Sequence, residues 1–274
     1  MRFTNHIILI LLLAVSLLSA GCGKNNLDET KDWSVQKLYS EARKQRAKKN
    51  YEEAIKYYSL IEARYPYGRY AEQALMEQAY SYYLSEQETL AISTANRFLQ
   101  LYPTHPRIDY IYYLKGLADF HGRRTFFDRL MTGKGDQSDR DSSAAKRAFV
   151  SFKEVVTRFP NSRYAPDARQ RMVYLFNNLA KYEIHVAKFY YIRGAYIATI
   201  NRCKNVLQQY QRTSSIEDAL GLQAMAYKQI GMTRLAQNSI RVLKKNFPKS
   251  RYIEKVDKLI VTGGRPKVKN MKKI

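Results

Sequence analysis

Cysteine is almost missing from this chain. Cys22 and Cys203 are the only two in 274 residues, so a disulfide framework is excluded. Histidine is nearly as scarce. Beyond the first twenty residues only His105, His121 and His185 occur, and none has a spacing that would share a metal with cysteine or carboxylates. Nucleotide and hydrolase signatures are absent too. Gly133-Lys134-Gly135 lacks the leading Gly and following Ser/Thr of a phosphate loop, and no nucleophile elbow or HExxH helix occurs. Asp136, Asp139 and Asp141 are spaced wrongly for an EF-hand; they read as a solvated loop, or as caps for a helix beginning near Ser142. No cofactor or metal is expected, and the chain is not expected to be an enzyme. Carboxylate-dependent glycan cleavage leaves little trace in a sequence, so its exclusion is the weakest. Period-two alternation is also lacking, which argues against a sheet. Acid is short: 24 Asp+Glu stand against 47 Lys+Arg, for a net charge of +23.

Long apolar runs are confined to the amino terminus. Arg2 precedes a stretch from Ile7 to Leu18, which ends in Leu18-Ser19-Ala20-Gly21-Cys22. A positive start, a short apolar core and small residues before a cut make a secretory signal. A Cys directly after Ala-Gly resembles a bacterial lipoprotein signal, with an ordinary secretory signal and a chance Cys as the alternative. Residues 1–21 would be removed, Cys22 would carry a covalent lipid, and 22–32 would form a lipidated tether. Gly23 stands where inner-membrane retention favours Asp, so the resemblance points to the outer membrane of a Gram-negative bacterium. Several acyl chains on one residue hold firmly where one would not. The remaining chain keeps 46 Lys+Arg, and residues 241–274 hold 12 basic against 2 acidic residues. Such a tail suits anionic headgroups or an acidic partner; it is equally the mark of a lysine-rich proteome. Nucleic acid is disfavoured as a partner of an exported protein.

What the chain has is a repeat. Tyr65-Pro66, Tyr102-Pro103, Phe159-Pro160 and Phe247-Pro248 recur, with Tyr210-Gln211 a degenerate instance, at spacings of 37, 57, 51 and 37 residues. This period marks a solenoid. Proline stops each helix. Apolar residues at three- and four-residue steps precede it, as in Ala54, Ile55, Tyr58, Ile61 and Tyr65. The small residues Ala54, Ala91, Ala148 and Ala236, mostly followed by a large one and then proline, resemble the tetratricopeptide repeat. The fold expected is all-α: an α-solenoid of five helix pairs over 33–65, 69–101, 107–159, 164–210 and 215–247, plus a capping helix near 249–261. The third pair carries a charged insert from Arg123 to Ser142. The fourth opens with a helix running from about Tyr164 to Ile192 and stopping before Arg193-Gly194. Residues 262–274 read as a disordered basic tail.

Tyrosine is abundant, with 23 residues. Aligning the first helices of three pairs on Ala42, Ala79 and Gly116 puts Tyr39, Arg43, Gln73, Met76, Tyr80, Tyr83, Tyr113 and Phe120 on one inner face. Rings interleaved with Arg and Gln suit an extended or hairpin peptide. The alternative is packing between neighbouring repeats. Cys203, with Cys22 acylated, reads as a small buried apolar side chain.

The lipoprotein signal, the five pairs, the insert and the long helix together resemble the BamD (ComL) family of the outer-membrane β-barrel assembly machinery. The specific stretches are Ser138-Asp139-Arg140-Asp141, Pro160-Asn161-Ser162-Arg163-Tyr164-Ala165, Leu179-Ala180-Lys181-Tyr182-Glu183, Arg193-Gly194-Ala195-Tyr196 and Asn201-Arg202. The resemblance implies a scaffold on the periplasmic face of the outer membrane. Its amino-terminal repeats (33–159) would face unfolded barrel proteins, and its carboxy-terminal repeats (164–261) would dock the POTRA domains of a BamA-like barrel subunit. BamC- and BamE-like lipoproteins are further implied partners. Arg193 and Arg202 would face the BamA-like partner, Arg202 pairing with its acidic residues; the alternative is a solvated arginine. Ser142, where the family often has Pro, and Gln211, in place of the fourth repeat's proline, depart from the pattern. A lipoprotein pilotin for a secretin, and a peptidoglycan-associated enzyme or wall-binding protein, are the competing readings.

Overall fold

The computed structural model describes residues 30–121 and 139–259, with the side chains of 121 and 139–141 left aside. Among the described residues there are eleven helices and no strand: α1 (Val35–Ala47), α2 (Tyr51–Arg64), α3 (Arg69–Leu84), α4 (Glu88–Leu101), α5 (Ile108–His121), α6 (Asp139–Arg158), α7 (Ala165–Ile192), α8 (Tyr196–Gln209), α9 (Ser215–Gln229), α10 (Thr233–Asn246) and α11 (Arg251–Asp257). Each helix but the last packs chiefly on its sequence neighbours, and α11 packs chiefly on α9, as the cap of a stack of helix pairs does. The fold is an all-α helical-repeat solenoid.

Two kinds of turn, used repeatedly, build it. Within a pair, the chain reverses through one left-handed residue: Lys49, Glu86, Gly194 and Gly231 have φ of 65°, 59°, 77° and 77°. At all four turns the left-handed N–H and the next N–H donate back to the helix. Lys49 N reaches Arg46 O and Asn50 N reaches Gln45 O, both at 2.9 Å, and the bonds of Gly194 and Ala195 to Tyr191 and Tyr190 repeat them. This is the Schellman closure, which satisfies carbonyls orphaned at the helix end. Glycine takes that conformation freely, whereas Lys49 and Glu86 take it at a cost of about 1 kcal/mol each. Between pairs, the aromatic residue ends its helix in a non-helical conformation: φ is −131° at Tyr65, −130° at Tyr102 and −137° at Phe247. A following proline disfavours helical backbone there. Tyr210 has no proline after it, yet adopts φ −125° and keeps the same N–H bond to the carbonyl four residues back. The packed ring suffices to hold the turn.

Small residues set the spacing inside the stack. Ala54, Ala91, Ala148 and Ala236 are all buried. In the fourth pair Thr199 takes this place, fully buried, its hydroxyl donating to Ala187 O at 3.3 Å. A Cβ on Gly116 would lie 2.7 Å from the Phe152 ring, and one on Gly221 would lie 2.1 Å from Tyr252. Cys203 is buried as a small core side chain, and burial pushes its thiol far up.

Three boundaries differ from expectation. Helix α6 begins at Asp139, so Ser142 is a buried helical residue and not the end of the insert. The capping helix is shorter than 249–261, because Ser250 caps α11 by accepting from Tyr252 N and the helix closes at Lys258. The chain is also fixed from Thr30, ahead of the expected end of the tether at 32. Thr30 is buried, and its hydroxyl accepts from Arg64 at 3.1 Å. The signal, Cys22, the remainder of the tether, the insert up to 138 and the tail from 262 lie outside the described residues. No helix among the described residues is long and apolar enough to cross a membrane.

Candidate functional site

The inner face of the first three pairs forms a trough made of two adjoining cavities. One, of about 690 Å³, lies between α1 and α3 and is lined by Gln36, Tyr39, Ser40, Arg43, Arg69, Tyr70, Gln73 and Glu77. The other, of about 410 Å³, continues along α3 and α5 and adds Arg46, Met76, Tyr80, Tyr83, Tyr110, Tyr113, Leu114 and Leu117, with Arg107 and Arg163 at its edge. Gln73 and Glu77 belong to both. The placement follows from helix geometry: residues three and four apart share a face, so Gln73, Met76, Tyr80 and Tyr83 descend one side of α3.

The rings line it in two groups. Tyr39 meets Tyr70 edge-on at 5.6 Å, Tyr80 stacks with Tyr83 at 6.4 Å and meets Tyr110 at 6.5 Å, and Tyr113 stacks on Tyr164 at 4.8 Å. Burial raises the hydroxyl pKa values of Tyr39, Tyr83 and Tyr110, and pushes Tyr113 up to about 12 with help from its bond to Asp167. These hydroxyls therefore stay protonated, and that of Tyr113 donates to Asp167 at 2.7 Å. Cations dominate the rim. Arg43, Arg46, Arg69, Arg107 and Arg163 face a single carboxylate, Glu77. Arg46 bonds Glu77 at 3.0 Å and covers the Tyr80 ring at 5.4 Å. Its Nε is buried without a hydrogen-bond partner.

Seven of the eight residues read from the sequence as one face line this trough. Met76 does so as a floor: it is 2% exposed and packs into the core with Ala95, Phe98 and Ile111. Phe120 lines neither cavity. Its ring packs against Phe152 at 6.3 Å and Tyr174 at 5.9 Å beneath Arg171, closing the junction of the third and fourth pairs. Sequence reasoning missed Arg46, Glu77 and Tyr110, although each lies one helical turn from a residue it found. Arg163, on the loop before α7, carried no such signal.

A second polar cluster lies at α7 and α8. Arg202 donates to Glu183 Oε2 at 3.1 Å, and the Glu183 side chain is only 4% exposed. Partial burial lowers the Arg202 pKa, but its bonds to Glu183 and Tyr190 more than offset this and raise it. Arg193 ends α7 with its guanidinium 3.5 Å from the centre of the Phe189 ring, which meets Tyr190 at 5.7 Å. The two arginines thus flank one aromatic pair. Arg202 already has an acidic partner in its own chain.

A family model described as "YfiO: Outer membrane lipoprotein" matches residues 31–242. The chain belongs to the YfiO/BamD family. Proteins named outer membrane protein assembly factor BamD resemble it along most of its length. That of Neisseria meningitidis serogroup B is 42% identical over 251 residues, covering 89% of this chain and 93% of the relative. The Xylella fastidiosa 9a5c protein is 39% identical over 90% of this chain and 84% of its own. The Vibrio cholerae protein is 37% identical over 86% and 96%. Family membership associates the chain with the outer membrane, and the described helices are those of a repeat scaffold.

Proposed function

We propose that this chain is an outer membrane protein assembly factor that works by binding and coupling, with no bond made or broken. It is anchored through a lipid on Cys22 to the periplasmic face of the outer membrane. The observation that carries the reading is the arginine-rimmed tyrosine trough on a chain of the BamD family. An unfolded barrel segment brings aromatic side chains, which stack on the tyrosines, and backbone carbonyls and carboxylates, which accept from the hydroxyls and guanidiniums. Residues Tyr39, Arg43, Gln73, Tyr80, Tyr83 and Tyr113 contact this segment and Met76 backs it. The α7–α8 cluster with Arg193 and Arg202 docks the POTRA-bearing, BamA-like subunit, and small BamC- and BamE-like lipoproteins join where they exist. Because Arg202 is engaged by Glu183, an incoming acidic group shares the guanidinium fork and does not find it free.

Affinity purification from detergent-solubilised envelope, read by mass spectrometry, tests this. A stoichiometric POTRA-bearing barrel protein is expected. Recovery of a secretin, or of no envelope protein, would overturn it. Cys22→Ala should leave the protein soluble in the periplasm; continued outer-membrane fractionation would show that the lipid is dispensable.

A further inference from the structure

Helix α10 is amphipathic in an unusual way. Its buried side is Ala236, Ser239 and Leu243. Its solvent side has no acidic residue at all, because Thr233–Asn246 contains none. Arg234, Arg241 and Lys245 fall on one stripe, and all are exposed. Beside them Leu235 and Val242, a heptad apart, are 37% and 43% exposed, with Met232 at 45% just before the helix. Among the described residues none of these three cations has a carboxylate within 4.0 Å. The neighbouring cations differ: Arg251 reaches Asp218 and Lys258 reaches Glu254. The same cationic excess continues beyond the helix, since residues 247–274 hold 9 basic and 2 acidic residues.

From this we infer that the outer face of α10 docks on an anionic phospholipid surface, as a second point of membrane contact. Cations beside exposed aliphatic side chains suit a headgroup boundary: the long basic stems let charge reach phosphate while the apolar groups enter the acyl region. An acidic protein would satisfy the charge and cover the aliphatic side chains as well; an anionic lipid surface is favoured because the cationic excess runs on past α10, which suits a broad anionic plane better than one acidic patch. The inference uses the proposed lipid anchor only to bring α10 near a bilayer.

The test uses the full lipidated chain carrying Val242→Cys labelled with an environment-sensitive fluorophore; Cys203 is buried and does not compete. The protein is floated on vesicles of phosphatidylcholine, with or without phosphatidylglycerol. A blue shift is expected with anionic vesicles only, reversed by high salt. Each basic residue near such a surface contributes about five-fold in partitioning, so Arg234→Gln, Arg241→Gln and Lys245→Gln together should reduce docking on the order of a hundred-fold. Lysine at the two arginine positions should retain it. Flotation on anionic vesicles alone, with the shift, supports the docking face and shows that the lipid by itself does not hold the chain on a bilayer. Flotation on both kinds without any shift overturns the docking face and leaves the anchor standing. A shift that needs an added envelope protein and not the lipid also overturns it and gives the face to an acidic partner.

Discussion

The two ends of this solenoid are made from one repeat and have different interiors. From α7 to α11 one large apolar cluster dominates, taking in Tyr191, Tyr196, Tyr210, Tyr227 and Tyr252 among its buried members, with Tyr182 and Val186 of α7 set apart as a small pair. From α1 to α5 the core is divided. One cluster joins Leu38, Tyr58 and Ala74, and another joins Leu75, Phe98 and Ile111. Tyr39, Tyr80, Tyr83, Tyr110 and Tyr113 turn instead toward the trough. The same residue type is spent on cohesion at one end and on an open surface at the other. A large shared carboxy-terminal core suits a docked scaffold, and a divided, ring-lined amino-terminal half suits a changing guest.

The sharpest way to break that contrast is to crowd both cores. Gly221→Ala places a methyl 2.1 Å from Tyr252 and should cost about 3 kcal/mol by overpacking, read by urea unfolding. Gly116→Ala meets the edge of Phe152 at 2.7 Å and should cost about 1–2 kcal/mol. Phe152 belongs to the cluster of the third pair, between the two ends, so equal costs would mean that this cluster is as tight as the carboxy-terminal core.

Next in size is the ion pair. Arg202→Ala leaves the buried Glu183 carboxylate without its cation and should cost about 2 kcal/mol, less than a fully buried pair because Arg202 is a third exposed. Adding Glu183→Gln should recover most of the lost melting temperature. If Arg202→Ala leaves the melt untouched yet abolishes co-purification of the POTRA-bearing partner, the guanidinium serves the partner alone.

At the other end, Tyr80→Ala should weaken binding of a peptide ending in an aromatic residue about ten-fold while shifting the melt little. Fluorescence anisotropy would check the first and calorimetry the second. A large melting loss with unchanged binding would make Tyr80 a core residue and end the distinction drawn between the halves.

The smallest effect is electrostatic. Partial burial pushes the Asp167 carboxyl up, but bonds from Arg171 at 2.6 Å and Tyr113 at 2.7 Å outweigh it and hold the pKa below its ordinary value. A depressed acid contributes stability that is fully present above its unfolded pKa, about 3.9, and is lost as pH falls through the lower folded value. The side chain is 44% exposed, so this amounts to about 0.5 kcal/mol at most. Carboxyl NMR titration should show Arg171→Ala raising the Asp167 pKa; no change would remove the ion pair as the cause.

Much of this was legible in the chain, for local reasons. Aromatic-proline pairs stop helices through the backbone of their own neighbours, and three- and four-residue apolar steps fix which side of a helix is buried. The five pairs, the helix ending at Ile192 and the face shared by Tyr39, Gln73 and Tyr80 could therefore be read directly. Tertiary structure decided the rest. Phe120 has the right periodicity for the trough, but it lies where α6 and α7 close over it. Arg163 reaches the trough from a loop more than fifty residues beyond α4. Arg202 meets a carboxylate that belongs to the preceding helix, and Tyr210 keeps its turn by packing without a proline. Periodicity says which side of a helix faces inward. Only the stacking of one pair on the next determines whether inward means a core or a groove.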